Sequence, residues 1–290
     1  MSGESAGARA AIMQFGGAGF RFSKSMGQNF LIDANVTEKI VRLSGIDRSC
    51  GVLEVGAGLG ALTSALSRCA GRVTAVEIDG RLLPALRDSL RGEQNVEIVQ
   101  GDILKLDVAG LVAETMPGMK HHVCANLPYS ITTPVLTMLI GSGIFEAITV
   151  MVQKEVARRI CAGPGTPDYG AFSVFANYHA ETAILFDVPP ECFVPRPAVM
   201  SSVVSMKARK ALGLDSAQEA FFFRVVRAAF EHRRKTLVNS LSMAFGGALQ
   251  KADVEQAVRD CGFDARVRGE RLGIEEFSRL SEAIMGLRNI

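Results

Sequence analysis

The sequence predicts an α/β protein: a mostly parallel sheet with helices on both faces, an antiparallel edge, and a small helical domain at its C-terminal end. Three observations predict it. From about residue 50 to 160, short β-branched runs alternate with helical patterns, as in a parallel sheet whose strands need crossover helices. Two later strand-like runs, 182–188 and 199–206, are separated only by a proline-rich bend, which suits antiparallel strands at an edge. After the polar break Lys207–Asp215, the apolar spacing is helical to the end. The 290 residues, 48% of them hydrophobic, suffice for one large domain and one small one.

Taken in order, residues 1–20 are small and rich in Gly and Ala and are expected to form a flexible arm. Residues 21–206 are assigned to the main domain and 207–290 to the helical one. Arg21–Asp33 mixes basic, aromatic and amide groups and is unlike a plain linker. Asp33 or Asn35 caps a helix running to about Leu43. Gly51–Val55 is a buried strand, followed by Gly56, Gly58 and Gly60 and a helix over Ala61–Cys69. Arg72–Ile78 is the next strand. The helix from Leu82 to Leu90 tolerates Pro84 because it falls in the first turn. Strands follow at Val96–Val99, His122–Ala125 and Ala147–Val152, with helices at Pro134–Ile140 and Lys154–Ile160. Cys161–Tyr169 reads as a loop, and Ala171–Ala180 fits helix or strand. A helical pattern covers Gln218–Leu241, interrupted by the basic run Arg233-Arg234-Lys235, and shorter ones cover Val254–Arg259 and Glu275–Met285.

The chemistry gathers at the ends of the strands, where open α/β sheets bind ligands. Glycines at 56, 58 and 60 let the backbone approach a ligand, and the helix behind them presents oriented N–H groups. Glu77 lies 21 residues past Gly56, where a carboxylate accepts from ribose hydroxyls. Asp102, after Gly101, suits an adenine amino group. These features alone leave a dinucleotide site open. The stretch Asn126-Leu127-Pro128-Tyr129 argues for another chemistry. An adenine N6 has its lone pair delocalised into the ring, and two acceptors on the amino group favour a pyramidal nitrogen that attacks a methyl donor. The Asn126 side-chain oxygen and the Leu127 carbonyl are suited to this, and Pro128 restrains Leu127 to an extended geometry. Tyr129 offers a stacking face worth roughly 1–3 kcal/mol to an extruded base.

With these motifs the chain resembles the ribosomal small-subunit RNA adenine N6,N6-dimethyltransferases, a family related to the erythromycin-resistance rRNA methyltransferases. Gly27-Gln28-Asn29-Phe30-Leu31 resembles the family's N-terminal cofactor motif. Glu54–Gly60, Val76–Asp79, Gly101-Asp102 and Asn126–Tyr129 resemble its motifs I to IV, Gln153–Arg159 its helix after the fifth strand, and Phe193–Val199 its motif VIII. Phe230–Leu241 and Arg268–Leu272 resemble its C-terminal domain. The resemblance implies a Rossmann-like methyltransferase fold and the donor S-adenosylmethionine. It implies cofactor contacts from Gln28, Asn29, Leu31, Gly56, Gly58, Gly60, Glu77, Asp102 and Asn126. It also implies a catalytic stretch Asn126–Tyr129, with Phe193 and Tyr129 holding the base. The implied reaction places four methyl groups on two adjacent adenosines in the 3′-terminal hairpin loop of small-subunit rRNA, within an assembling subunit.

Charge and cysteines bound the rest. The net charge of +2 excludes a polycation. Residues 207–290 hold 15 Lys/Arg and 11 Asp/Glu, leaving +4 there and −2 elsewhere. This mild asymmetry marks the helical domain as the RNA-facing one, with Arg158, Arg159, Arg233, Arg234 and Lys235 as phosphate contacts. The cysteines at 50, 69, 124, 161, 192 and 261 include no C-x-x-C pair, so no metal site is expected, and buried thiols fit a reducing compartment. No secretory signal or membrane span is read, and the expectation is a cytoplasmic monomer. Alternatives are a resistance-type methyltransferase acting on large-subunit rRNA, a non-catalytic assembly or transcription factor on the same fold, and a DNA adenine methyltransferase.

Overall fold

A computed structural model describes residues 28–209 and 212–287, and the expected arm over 1–20 lies outside the described residues. By Cα packing the chain divides into two compact units, Met1–Ala157 with Glu181–Ala208, and Arg158–Ala180 with Arg209–Ile290.

The first unit is built on a seven-stranded sheet. Its strands are β2 (Cys50–Val55), β3 (Arg72–Glu77), β4 (Val96–Gln100), β5 (Lys120–Asn126), β6 (Ala147–Gln153), β7 (Ala180–Val188) and β9 (Ser201–Ala208). They lie in the order β4-β3-β2-β5-β6-β9-β7. The neighbouring pairs from β4 to β6 are parallel, and β9 runs antiparallel to β6 with Gln153 opposite Ser201. A two-stranded ladder joins β1 (Phe30–Leu31) to β8 (Phe193–Val194).

Six helices, α1 (Ala34–Ser44), α2 (Ala61–Ser67), α3 (Leu83–Ser89), α4 (Val108–Thr115), α5 (Thr132–Gly141) and α6 (Lys154–Cys161), link the elements from β1 to α6. Asp33 caps α1 by accepting from the Asn35 N–H. The strands carry apolar residues on both faces because helices cover both. Val52, Leu66, Val73, Cys124, Met151 and Val203 are all buried in one core cluster, which also takes in Ile40 and Val41 of α1.

Helix α4 is absent from the expectations above. Its signal is local: Asp107 caps it by accepting from the Gly110 N–H, and Val108, Val112 and Thr115 recur on its buried side. Gly110 disguises it, since glycine disfavours helix interiors. A Cβ at 110 would meet the Asp107 carboxylate at 2.4 Å, so a side chain there would require that carboxylate to shift.

The second unit is helical, with α7 (Ala171–His179), α8 (Ser216–Glu231), α9 (Leu237–Phe245), α10 (Lys251–Asp260) and α11 (Ile274–Leu287). Here one expectation is corrected. Residues 158–180 belong to this unit and not to a domain over 21–206, because Tyr169, Val174 and Tyr178 are buried in one core with Phe222, Leu241 and Phe277. The interruption expected at Arg233–Lys235 separates two helices: α8 ends at Glu231, and Thr236 caps α9 by accepting from the Asn239 N–H at 3.3 Å. Ala171–His179 resolves as helix, with β7 starting at Ala180.

Among the described residues no helix is long and apolar enough to cross a membrane. Cys50, Cys124 and Cys192 are buried. The helical core rests on its aromatic centre, where Phe222 is fully buried against Tyr178 and Phe223. Phe222→Ala is expected to cost about 3–5 kcal/mol through lost burial and the cavity left behind, read as a lower urea midpoint for the helical signal.

Candidate active site

The C-terminal ends of β2, β3, β4 and β5 surround a cavity of about 400 Å³, lined by the glycine turn, Glu77, Asp102, Asn126–Tyr129 and the segment Gln28–Leu31. The residues that the sequence nominated as cofactor contacts all line it.

The turn after β2 takes a left-handed backbone at Gly56, Gly58 and Gly60, with φ of 77°, 59° and 86°. Its shape is fixed from below, where the Gly56 N–H donates to the Val76 carbonyl at 2.8 Å. Its glycines also answer to crowding by the protein's own side chains. A Cβ at Gly58 would come 3.2 Å from the Phe30 ring, and one at Gly60 would come 2.7 Å from the Ser89 hydroxyl.

Glu77 ends β3 and is 4% exposed. Its two oxygens accept from the Gly58 and Asp79 N–H groups, each at 2.8 Å. Burial raises its pKa, and these two bonds oppose that rise. Asp79 is buried beside it and receives Gln28 Nε2 at 3.0 Å and Arg81 Nη2 at 2.6 Å. The Arg81 hydrogen bonds hold its pKa down at about 2. Asp102 is half-buried and accepts from the Leu104 N–H, which closes a tight turn after β4.

Asn126 ends β5, and its Nδ2 donates to the Asn29 carbonyl at 3.0 Å. The bond fixes the amide so that Oδ1 is the acceptor left for a ligand. The Leu127 N–H donates to the Met151 carbonyl at 3.2 Å, and the Pro128 carbonyl accepts from the Thr132 hydroxyl at 3.0 Å. Tyr129 shares a 2.7 Å hydrogen bond with Ser201.

Phe193 is 2% exposed, pairs with Leu31 across the β1–β8 ladder and belongs to the core cluster with Ile40 and Val41. It is not among the residues that line this cavity.

The basic residues sort into three groups. Arg158 lies 3.4 Å from Asp168. Arg233 donates to the Pro167 and Tyr169 carbonyls at 3.0 and 3.1 Å and lies 3.7 Å from Glu270. Arg159 is half-buried, with its Nε enclosed and without a partner. Arg234 and Lys235 are exposed and make no ion pair among the described residues.

Sequence reasoning gave no role to three groups at the site: Asp79, Ser201 and Glu54. The first carried a signal in its place two residues after Glu77; Ser201 carried none. Glu54 is 2% exposed, lines the cavity and has an Oε2 without a hydrogen-bond partner. Burial pushes its pKa up to about 8. An acid raised on folding keeps its proton after the unfolded chain has released its own. The stabilisation is therefore full below about pH 4.5 and is lost as the pH rises towards about 8. In the ligand-free protein, Glu54→Gln is expected to lose less thermal stability than the parent between about pH 5 and pH 8, measured by thermal unfolding across a pH series.

Comparison with known proteins agrees with this geometry. A family model described as ribosomal RNA adenine dimethylase matches residues 19–271. The ribosomal RNA small subunit methyltransferase A of Shouchella clausii is 47% identical over 268 residues, covering 92% of this chain and 90% of its own. That of Geobacillus kaustophilus is 44% identical over 272 residues, covering 93% of each. Among solved structures, the 23S rRNA methyltransferase ErmE superposes with a TM-score of 0.68 at 26% identity, over 89% of this chain and 100% of that one. A dimethyladenosine transferase from Plasmodium falciparum shares the fold, with a TM-score of 0.77 at 22% identity, over 90% of this chain and 98% of its own. With its glycine turn, its strand-end acids and the Asn126–Tyr129 stretch set around one cavity, the chain belongs to the ribosomal RNA adenine dimethylase family.

Proposed function

We propose that the protein transfers four methyl groups from S-adenosylmethionine to the N6 atoms of two adjacent adenosines in the 3′-terminal hairpin loop of small-subunit rRNA. The substrate is the assembling small subunit, met in the cytoplasm by a monomer. The observation that carries this reading is the Asn126 amide, held by Asn29 at the edge of the cavity with its oxygen available. Identity of 44–47% to small-subunit methyltransferases, against 26% to ErmE, favours the small subunit over the large one.

The cavity suits the donor. Its floor is a left-handed glycine turn, and Glu54 contributes a buried acceptor without a partner, complementary to the donor's cationic amino end. Glu77 would hold the ribose with the lone pairs that Gly58 and Asp79 leave, and Asp102 would hold the adenine amino group. When bound, the sulfonium supplies an activated methyl group, so the protein needs no strong base.

The chain's own part is to orient the target nitrogen. Asn126 Oδ1 and the Leu127 carbonyl accept from the adenine amino group and turn its lone pair towards the donor. The Leu127 position is set by its bond to Met151 on β6 and by Pro128, whose ψ of 131° is extended. After the first transfer the amine keeps one hydrogen, which one acceptor still takes. Tyr129 holds the base by its ring. In the second unit, Arg234 and Lys235 are assigned to phosphate, while Arg233 and Arg158 brace the chain near residues 167–169.

Two experiments test this. The unsubstituted protein is expected to methylate small subunits lacking the modification and to leave large subunits unmethylated. Asn126→Ala is expected to slow single-turnover transfer on the order of 100-fold, with little change in S-adenosylmethionine affinity, the pattern of an interaction made in the transition state. Transfer at the parent rate in this variant would overturn the mechanism.

For the RNA surface, replacing Arg234 and Lys235 together by Ala is expected to weaken subunit binding and flatten the salt dependence by about two phosphate contacts. Arg233→Ala is expected to lower the melting temperature instead. Binding measured across a salt series, with thermal unfolding alongside, separates the two roles.

A further inference from the structure

We propose that Ser201 is the positioning residue that aims the Tyr129 ring at the target base; this rests on the reading of Asn126–Tyr129 given above. Tyr129 follows Pro128 at the mouth of the cavity, where its backbone starts a short 3-10 turn. That turn anchors one end of the side chain: the Pro128 carbonyl accepts from the Ile131 N–H at 3.2 Å and from the Thr132 hydroxyl at 3.0 Å. The other end is the phenol, which meets the Ser201 hydroxyl at 2.7 Å across 72 positions of sequence.

Ser201 is itself rigidly placed. It is 1% exposed, opens β9 and lies opposite Gln153 on β6. The Met200 carbonyl before it accepts from the Lys154 N–H at 3.0 Å. Ser202 after it donates to Asp187, whose other oxygen takes Lys154 Nζ at 2.6 Å. The hydroxyl that receives Tyr129 is therefore fixed to the central sheet.

A tyrosine side chain swings chiefly about χ1, among three staggered wells. With the phenol tied to Ser201, one well remains. The ring is then in place before the base arrives, and no entropy is lost on capture. The bond also decides which part of Tyr129 meets the base. Its hydroxyl is drawn to Ser201, which presents the ring face to an extruded adenine. Recognition at this position is by stacking.

The test uses the full chain, small subunits lacking the modification, and single-turnover methyl transfer at varied subunit concentration. Ser201→Ala and Tyr129→Phe are each expected to lower the transfer rate at saturating subunit about fivefold, the size of one net hydrogen bond. Affinities for S-adenosylmethionine and for the subunit should stay at parent values. The double variant is expected to match either single one, because both remove the same bond. Ser201→Thr, which keeps the hydroxyl, is expected to restore the rate.

Tyr129→Phe keeps the ring and adds no bulk, so it carries the test by itself if Ser201→Ala fails to fold. A parent-like rate in Tyr129→Phe, or single effects that multiply in the double variant, would overturn the positioning role. Failure of the unsubstituted protein to methylate the subunit would overturn the underlying reading instead.

Discussion

The Glu77 carboxylate is the joint on which the site depends. It is buried at the end of β3, and its two oxygens draw the Gly58 and Asp79 N–H groups towards each other. One bond shapes the turn after β2, and the other places Asp79. Asp79 in turn takes Gln28, and so fixes the start of the segment Gln28–Leu31. That segment continues through Asn29, whose carbonyl holds Asn126, to Leu31, which pairs with Phe193. A single chain of contacts thus runs from Glu77 through Asp79, Gln28 and Asn29 to the Asn126 amide. Burial disfavours a charged Glu77, and the backbone donors partly offset that cost. The carboxylate is stable there only because the turn is built around it.

Much of this was legible in the sequence, and the reason is geometric. Glycine turn, Glu77, Asp102 and Asn126 each stand at the end of a parallel strand, so strand periodicity alone brings them to one edge of the sheet. What escaped depends on contacts between distant segments. The Asn29–Asn126 and Tyr129–Ser201 bonds span 97 and 72 positions, and nothing in local pattern announces them. The pairing of Phe193 with Leu31 and its place in the core cluster are likewise set by distant segments. Helix α7 was ambiguous because its apolar residues fit either period. Its place in the second unit is decided by the aromatic cluster of Tyr178, Phe222 and Phe223, which only the tertiary fold assembles.

Net charge told less than the individual arginines do. The +4 of residues 207–290 counts Arg233 alongside Arg234 and Lys235, although their surroundings differ. Arg233 makes its bonds to carbonyls at the break of the loop before α7, a use of guanidinium that needs its planar set of donors. Arg48 does the same in the first unit, donating to the Ala70 and Arg68 carbonyls, each at 2.8 Å, beyond α2. Some basic residues thus hold backbone while others face solvent, and a sum of charges cannot tell them apart.

Gly58 shows how small the margin is. Its missing Cβ leaves the clearance in which the Phe30 ring lies, at 3.2 Å from where that carbon would be. Phe30 sits in the same short segment as Asn29. A methyl group at 58 would press on that ring and would strain a left-handed backbone as well. The ring would have to give by a few tenths of an ångström. A glycine that reads in sequence as room for a ligand is therefore also clearance for the protein's own Phe30, beside the carbonyl that holds Asn126.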